Sequence, residues 1–533
     1  MRAILPVGGS KLNGAILLVA RTKKDHALKL ELMTQRSAGV VLHPTSLPGP
    51  HGSGDFGPNA YYFVDWLHTA GQTLWQTLPL GPIGQANSPY MGGSAMAGNP
   101  LLVAFEPLVE RGWITGASLQ NGFVTERVRY DEVLPWRMDR LREAFAGFQE
   151  QADAPTQESF TAWRHDNAPW LEDYVLFMAL DVAYAAADWT DWPKPLAARE
   201  PQALAMARDK FAHEIAFWSF VQWQFDLQHQ ALKAYANGRG VHLVGDIPIF
   251  IAHHSCDCWS RPNLFLLDAE GQPSVVAGVP PDYFAVNGQR WGNPHYDWKA
   301  MAADGYQWWV ERIRRQLYLA DVIRIDHFRG FEACWEIPVS EPTAIHGHWV
   351  KGPGIALFEA VERALGELPI IAEDLGLITV EVDALRLRAG FPGMRVLQFG
   401  FSEDATSNHL PHNYEPNTVV YCGTHDNDMA VGWWACCSQR ERAFAAEYLG
   451  TDGHEVHWAM IRACLLSVAN HALCQFQDVL GLDGYHRMNT PGSIDCWTWR
   501  FRWDWVRPEH AERLARITAA SGRIGFDRLR LPY

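Results

Sequence analysis

Eight short apolar runs, each closing on polar or charged residues, recur along this chain and limit its fold more than any other feature. They occupy residues 40–43, 73–80, 241–246, 321–326, 369–374, 395–399, 419–426 and 474–478. Runs this short and this uniformly apolar fit strands buried on both faces, as in a parallel sheet, and parallel strands need crossover helices between them. Residues 306–319 and 356–365 have helical spacing and can supply such crossovers. Eight strand-helix units predict an α/β protein built on a closed (β/α)8 barrel, a TIM barrel.

A plain barrel needs roughly 250 residues, whereas this chain has 533, so it must be several domains or one large domain with insertions. The apolar spacing of Met138, Leu141, Phe145 and Phe148, and of Trp170, Tyr174 and Met178, predicts a mostly helical insertion over residues 108–211. It would split the barrel into a first part, 33–107, and a remainder, 212–533. Within the remainder, 250–298 is rich in Gly, Pro, Asp and Asn and follows a candidate strand. It should rise over the C-terminal face, where barrel active sites sit. Recognisable pattern begins near Arg36, so residues 1–32 read as a disordered extension and Met33 as a possible start. The apolar stretch Ala15 to Ala20 is followed by the basic run Arg21-Thr22-Lys23-Lys24 with no small-residue cleavage site evident, so a signal peptide is not expected.

Composition narrows the function. A formal charge of -15 repels polyanions and argues against nucleic acid as a partner. No apolar run approaches the roughly 20 residues that span a bilayer, so no membrane association is expected. Nine cysteines without a framework read as reduced thiols and predict a cytoplasmic protein. No obligate protein partner is evident. Twenty-four tryptophans hint at carbohydrate, since indole faces pack against sugar C–H groups, although most should be ordinary core residues.

In a barrel, polar side chains at the C-terminal strand ends converge on one cavity. Asp326, Glu373 and Asp426 all lie at such ends. Retaining cleavage of a glycosidic bond needs one carboxylate at the anomeric carbon and a second, protonated carboxyl at the leaving oxygen, about 5–5.5 Å away. A third carboxylate can hold ring hydroxyls more tightly as the transition state forms. Arg324 and His327 flank Asp326, and His425 precedes Asp426. Arg324, if it points into the same pocket, should keep Asp326 charged; Glu373 has no basic neighbour in sequence and suits a raised pKa and acid duty.

The motifs Val322-Ile323-Arg324-Ile325-Asp326-His327-Phe328-Arg329-Gly330-Phe331, Ile371-Ala372-Glu373-Asp374-Leu375-Gly376 and Gly423-Thr424-His425-Asp426-Asn427-Asp428 resemble those of the amylomaltases, which are 4-α-glucanotransferases. The resemblance extends through Ser88-Pro89-Tyr90, Gly278-Val279-Pro280-Pro281-Asp282-Tyr283-Phe284, Gln289-Arg290-Trp291-Gly292-Asn293-Pro294 and Arg487-Met488-Asn489-Thr490-Pro491-Gly492, in order, from Arg36 to about Arg500. It implies that Asp326 is the nucleophile, Glu373 the general acid/base and Asp426 the transition-state stabiliser. It also implies that Ser88, Tyr90, Asp246, Trp291, Arg324, His327, His425 and Asn489 bind substrate, with Asp282 and Gln289 on a loop covering the cleft. The implied substrates are α-1,4-glucans and maltooligosaccharides, and neither a metal nor a cofactor is required.

Two departures stand out. Met91-Gly92-Gly93 replaces the Gln-Ser-Phe-like stretch that often follows Ser-Pro-Tyr in relatives, and His253-His254-Ser255-Cys256-Asp257-Cys258 is richer in sulfur than its counterparts. Adjacent histidines point apart and Cys-x-Cys lacks a second pair, so the cluster is not expected to bind zinc. The alternatives to a transferase are an amylase-type α-1,4-glucan hydrolase using the same carboxylates and a noncatalytic glucan-binding protein. A metal-dependent barrel hydrolase lacks a ligand set at the strand ends.

Overall fold

The computed structural model describes residues 32–123, 126–281, 285–402 and 404–524. Eight parallel strands form its centre: Ser37–Val41, Leu74–Gln76, His242–Pro248, Val322–Asp326, Ile370–Ala372, Gly393–Val396, Thr418–Tyr421 and His471–Gln475. Numbered one to eight in that order, they pair as 6-7-8-1-2-3-4-5, the cyclic order of a barrel. The seam between strands five and six has no ladder of its own and carries one backbone bond, from Ala372 N–H to Pro392 C=O at 3.0 Å. Every residue of strand one is buried, as in strands seven and eight, because helices cover the outside while side chains fill the inside.

All eight runs read from the sequence overlap barrel strands, with shifts at their ends, the first being that strand one spans Ser37–Val41 and ends before His43. The sixth strand ends at Val396, where a 3-10 turn over Leu397–Phe401 begins. The eighth ends at Gln475, and Asp478 lies in the helix Phe476–Leu480, with its carboxylate accepting the Ala430 N–H at 2.7 Å. At the sixth and eighth strands the apolar run continues because the turn or helix that follows is itself buried.

Residues between strands two and three form the helices Tyr130–Gln151, Ala154–Tyr184 and Pro201–Lys210, followed by the long helix Ala212–Gly238. Phe148, Phe160, Phe220 and Trp223 interlock where these helices meet. The stretch after strand three contributes Val275–Val279 and Gln289–Pro294 to a four-stranded antiparallel sheet with Ala333–Pro338 and His348–Lys351. The expected N-terminal extension lies outside the described residues except at its last position; Met33, read as a possible start, already docks on the barrel through His471 and Asn470. Among the described residues no helix is long and apolar enough to cross a membrane.

Candidate active site

Arg324 organises the site from the fourth strand. It is 3% exposed in its side chain and divides its guanidinium between two carboxylates: Nη1 lies 2.7 Å from both oxygens of Asp246, and Nη2 donates to Asp326 Oδ1 at 2.7 Å. Asp246 is closed off, since the Tyr90 hydroxyl also donates to its Oδ2 at 2.7 Å. Asp326 is left open, with 31% of its side chain exposed and no hydrogen bond to Oδ2 among the described residues. Ser88 Oγ accepts the Tyr90 N–H at 3.2 Å and so caps the turn that presents Tyr90.

Glu373 follows the fifth strand. Its two oxygens accept the backbone N–H groups of His327 and Leu375, each at 2.7 Å. Burial, followed by the charge of Asp326, outweighs these bonds and Arg324 and pushes its carboxyl up to about 8. Asp326 is also raised: burial acts against ionisation more strongly than Arg324 acts for it. Arg324 does point into the site and favours the charged form of Asp326, while burial and the neighbouring carboxylates oppose it. The pair is enclosed by protein on the Arg324 side and open on the Asp326 side, and Asp246 and Asp426 add like charge.

His327 has φ 55°, in the left-handed region that non-glycine residues seldom adopt, and this turn lets its N–H reach Glu373. Burial, helped by Arg329, lowers its imidazole to about 3, so the ring is neutral, and its buried Nε2 has no partner. Trp291 packs edge-on against it at 4.8 Å, and the indole N–H donates to Gln289 Oε1 at 3.1 Å. Gln289 and Trp291 thus reach the site through His327. Asp282 lies outside the described residues.

Asp426, beyond the seventh strand, accepts the Asn489 amide N–H at 2.5 Å and lies 3.4 Å from His425 Nε2. His425 stacks on Tyr90 at 5.3 Å, which joins the Asp426 group to the Arg324 group. The structure therefore brings together every described residue singled out from the sequence.

Several contributors were given no role from the sequence, although Arg487 opens one of the quoted motifs. Arg487 donates to the Asp426 carbonyl at 2.7 Å. Met394 Sδ lies 3.3 Å from Arg324 Nε. Trp497, with φ 66°, packs against both Tyr90 and His425. A positive φ at tryptophan has no signature in composition or spacing. Trp291 and Trp497 are the described tryptophans in ring contact with these site residues, while Trp75, Trp163, Trp223, Trp259, Trp308, Trp309 and Trp499 are fully buried in the core.

The histidine and cysteine cluster serves another purpose. Among the described residues no group of three or more His, Cys, Asp or Glu side chains is placed to hold a metal ion. Cys256 and Cys258 are buried thiols, raised by burial. His253 and His254 instead clasp the helical insertion. His254 Nε2 lies 2.9 Å from Asp181 Oδ1, and His253 places Nδ1 2.9 Å from Asp188 Oδ2 and Nε2 2.7 Å from the Gly271 carbonyl. Both partners of His253 are acceptors, so both ring nitrogens must donate and the ring is cationic in this arrangement.

Comparison with known proteins finds close relatives of the chain and of its fold. A family model described as 4-alpha-glucanotransferase matches residues 42–506. A 4-alpha-glucanotransferase of Thermus thermophilus is 48% identical over 92% of this chain and 99% of its own length, and one of Clostridium butyricum is 40% identical over 90% of this chain and 100% of its own. Among solved structures, an amylomaltase from Streptococcus agalactiae in complex with acarbose superposes with a TM-score of 0.89 at 36% identity, covering 92% of this chain and 100% of that one.

Proposed function

The chain belongs to the 4-alpha-glucanotransferase family, and from that premise we propose that it moves segments of α-1,4-glucans and maltooligosaccharides by retaining double displacement on Asp326, Glu373 and Asp426. One observation carries this reading. A single buried arginine closes off Asp246 and leaves Asp326 open, beside a glutamic acid pushed up to about 8.

In the first half-reaction the Glu373 carboxyl gives its proton to the glycosidic oxygen while Asp326 Oδ2 attacks C1. The C1–O bond breaks, the reducing-end fragment leaves, and a β-glucosyl ester remains. Arg324 holds Asp326 Oδ1 throughout and fixes the direction of attack. In the second half-reaction the Glu373 carboxylate takes the proton of an acceptor 4-hydroxyl, whose oxygen attacks C1 and restores an α-1,4 bond. Each Glu373 oxygen uses one of its two acceptor sites on a backbone N–H, which leaves a site for the travelling proton. Asp426, oriented by Asn489, binds ring hydroxyls more tightly as the oxocarbenium-like state develops. The cycle needs no metal or cofactor.

Tyr90, Arg324, His327, His425, Trp291 and Asn489, with Ser88, Asp282 and Gln289, are our donor-side and lid residues, and Asp246, whose oxygens are taken by Arg324 and Tyr90, serves by holding those two. The unpartnered Nε2 of His327 supports its share, since a buried ring nitrogen without a partner is costly until a hydroxyl satisfies it. We read 108–211 as an insertion in a barrel formed by 33–107 and 212–533, and the cytoplasm as the location.

Incubation with maltotriose alone, with products resolved by chain length, tests the reading. Glucose together with a ladder of longer maltooligosaccharides is the expected result. Only shorter sugars would make the enzyme a hydrolase, and an unchanged substrate would leave a glucan-binding protein.

A further inference from the structure

Asp374, next to the general acid, has no role in the cycle above, yet it is 5% exposed and surrounded by specific partners. Its Oδ1 accepts the Met394 N–H at 2.6 Å. Its Oδ2 lies 3.2 Å from Arg386 Nε and 3.4 Å from Arg395 Nη1. On the other side, a Cβ at Gly393 would fall 2.3 Å from Oδ2, so the backbone of strand six reaches the carboxylate only because residue 393 has no side chain.

These contacts occupy the seam of the barrel. Strands four and five pair over three residues and strands six and seven over four, while strands five and six share one backbone bond, Ala372 to Pro392. Glu373 leaves strand five at that point. Its main chain is held on the strand-four side by Glu373 N–H to Ile325 C=O and Phe328 N–H to Glu373 C=O, each at 3.1 Å. Toward strand six, no backbone bond of Glu373 is found among the described residues, and the next residue's side chain makes the connection. The residue it grips, Met394, places its sulfur against Arg324.

We propose that Asp374 is a positioning residue for the transfer reaction: its carboxylate replaces the missing ladder between strands five and six and so fixes Glu373 on one side and the Met394–Arg324 contact on the other. This rests on the reading of Glu373 as acid/base. Water is the competitor for the Met394 N–H, and its entry through an opened seam would return Glu373 toward an ordinary carboxylate.

Asp374→Asn and Asp374→Ala remove the same charge, but only the asparagine keeps an acceptor for Met394. Kinetics of maltotriose disproportionation across pH therefore separate geometry from electrostatics. In Asp374→Ala, kcat should fall about a hundredfold, the usual size for a misplacement near 1 Å, with KM within about twofold. The alkaline limb of kcat/KM should move to lower pH. Asp374→Asn should recover most of the rate and keep the limb of the parent enzyme. Gly393→Ala, which crowds the carboxylate from strand six, should reproduce the alanine signature and serves if Asp374→Ala does not fold. Equal limbs in all variants, or an asparagine no better than alanine, would overturn the proposal. Glu373→Gln tests the underlying reading separately: a fully active Glu373→Gln enzyme removes the acid assignment, whereas an inactive one with unmoved limbs in the Asp374 variants removes only the role of Asp374.

Discussion

Two buried arginines nine residues apart solve the same problem in opposite ways. Arg315, on the helix Gln307–Leu319, makes a two-pronged pair with Asp226 at 2.6 and 3.0 Å and gives its Nε–H to the Met96 carbonyl. Trp163 Nε1 donates to the same aspartate at 3.1 Å, so this pair ties the insertion, the long helix Ala212–Gly238 and a barrel helix together. Side-chain exposure is 7% for Arg315 and 2% for Asp226. Arg324 is as deeply buried, but its second partner, Asp326, keeps one carboxylate oxygen for solvent or substrate. The closed pair uses up its valences inside the protein and contributes to stability. The open one leaves a valence unspent, and that is its chemistry.

The largest test of this contrast is Asp326→Asn. It keeps the shape of the open cluster and an acceptor for Arg324 but removes the nucleophile. Transfer should fall by a factor on the order of 10⁴–10⁶, the range found when a nucleophile is removed. Thermal stability should hold or rise, because one of several crowded acidic charges is gone. Retained turnover measured with maltotriose would place the nucleophile elsewhere.

Breaking the closed pair should do the reverse. Asp226→Ala leaves Arg315 buried without a counter-charge, a change that costs about 3–5 kcal/mol in comparable sites. Denaturant or thermal unfolding should show that loss, while kcat per folded molecule stays at the parent value. A variant with parent stability and reduced kcat would erase the distinction between the two arginines.

The sequence made much of this legible. Strands buried on both faces leave continuous apolar runs, so all eight could be read, and the three carboxylates stood out because each ends such a run. What distinguishes Arg315 from Arg324 was only partly visible. Position at a strand end pointed to Arg324, but nothing near Arg315 announces Asp226, 89 residues away. The same holds for Asp374 and Gly393, whose contact crosses a seam, and for Trp497, whose strain lies in φ. The strands Val275–Val279 and Gln289–Pro294 were hidden in a stretch read as irregular, because the first is a short apolar run without alternation and the second a half-exposed, mostly polar one, set among Gly, Pro, Asp and Asn. The sequence-level argument about Asp326 was incomplete for a related reason: a neighbouring arginine can be seen in sequence, and the burial that opposes it cannot.

That burial sharpens the comparison through pH. The first step requires protonated Glu373, and its carboxyl stands at about 8, so kcat/KM should hold through neutrality and fall about tenfold per pH unit above 8. The acid limb should lie above the ordinary carboxylate range, because burial raises Asp326, which must be ionised to attack. Stability carries the matching sign. Folded Glu373 keeps a proton that the unfolded chain releases near the ordinary value of 4.5, so its contribution is complete below 4.5 and is lost progressively as pH rises to 8. Glu373→Gln lacks that loss. Its melting temperature relative to the parent should therefore increase from pH 5 to pH 8 and level off above, whereas Asp226→Ala should show no such trend. A Glu373→Gln enzyme whose relative stability is flat across this range would mean that Glu373 ionises as freely in the folded site as in water, and the acid would then need another source for its proton at neutral pH.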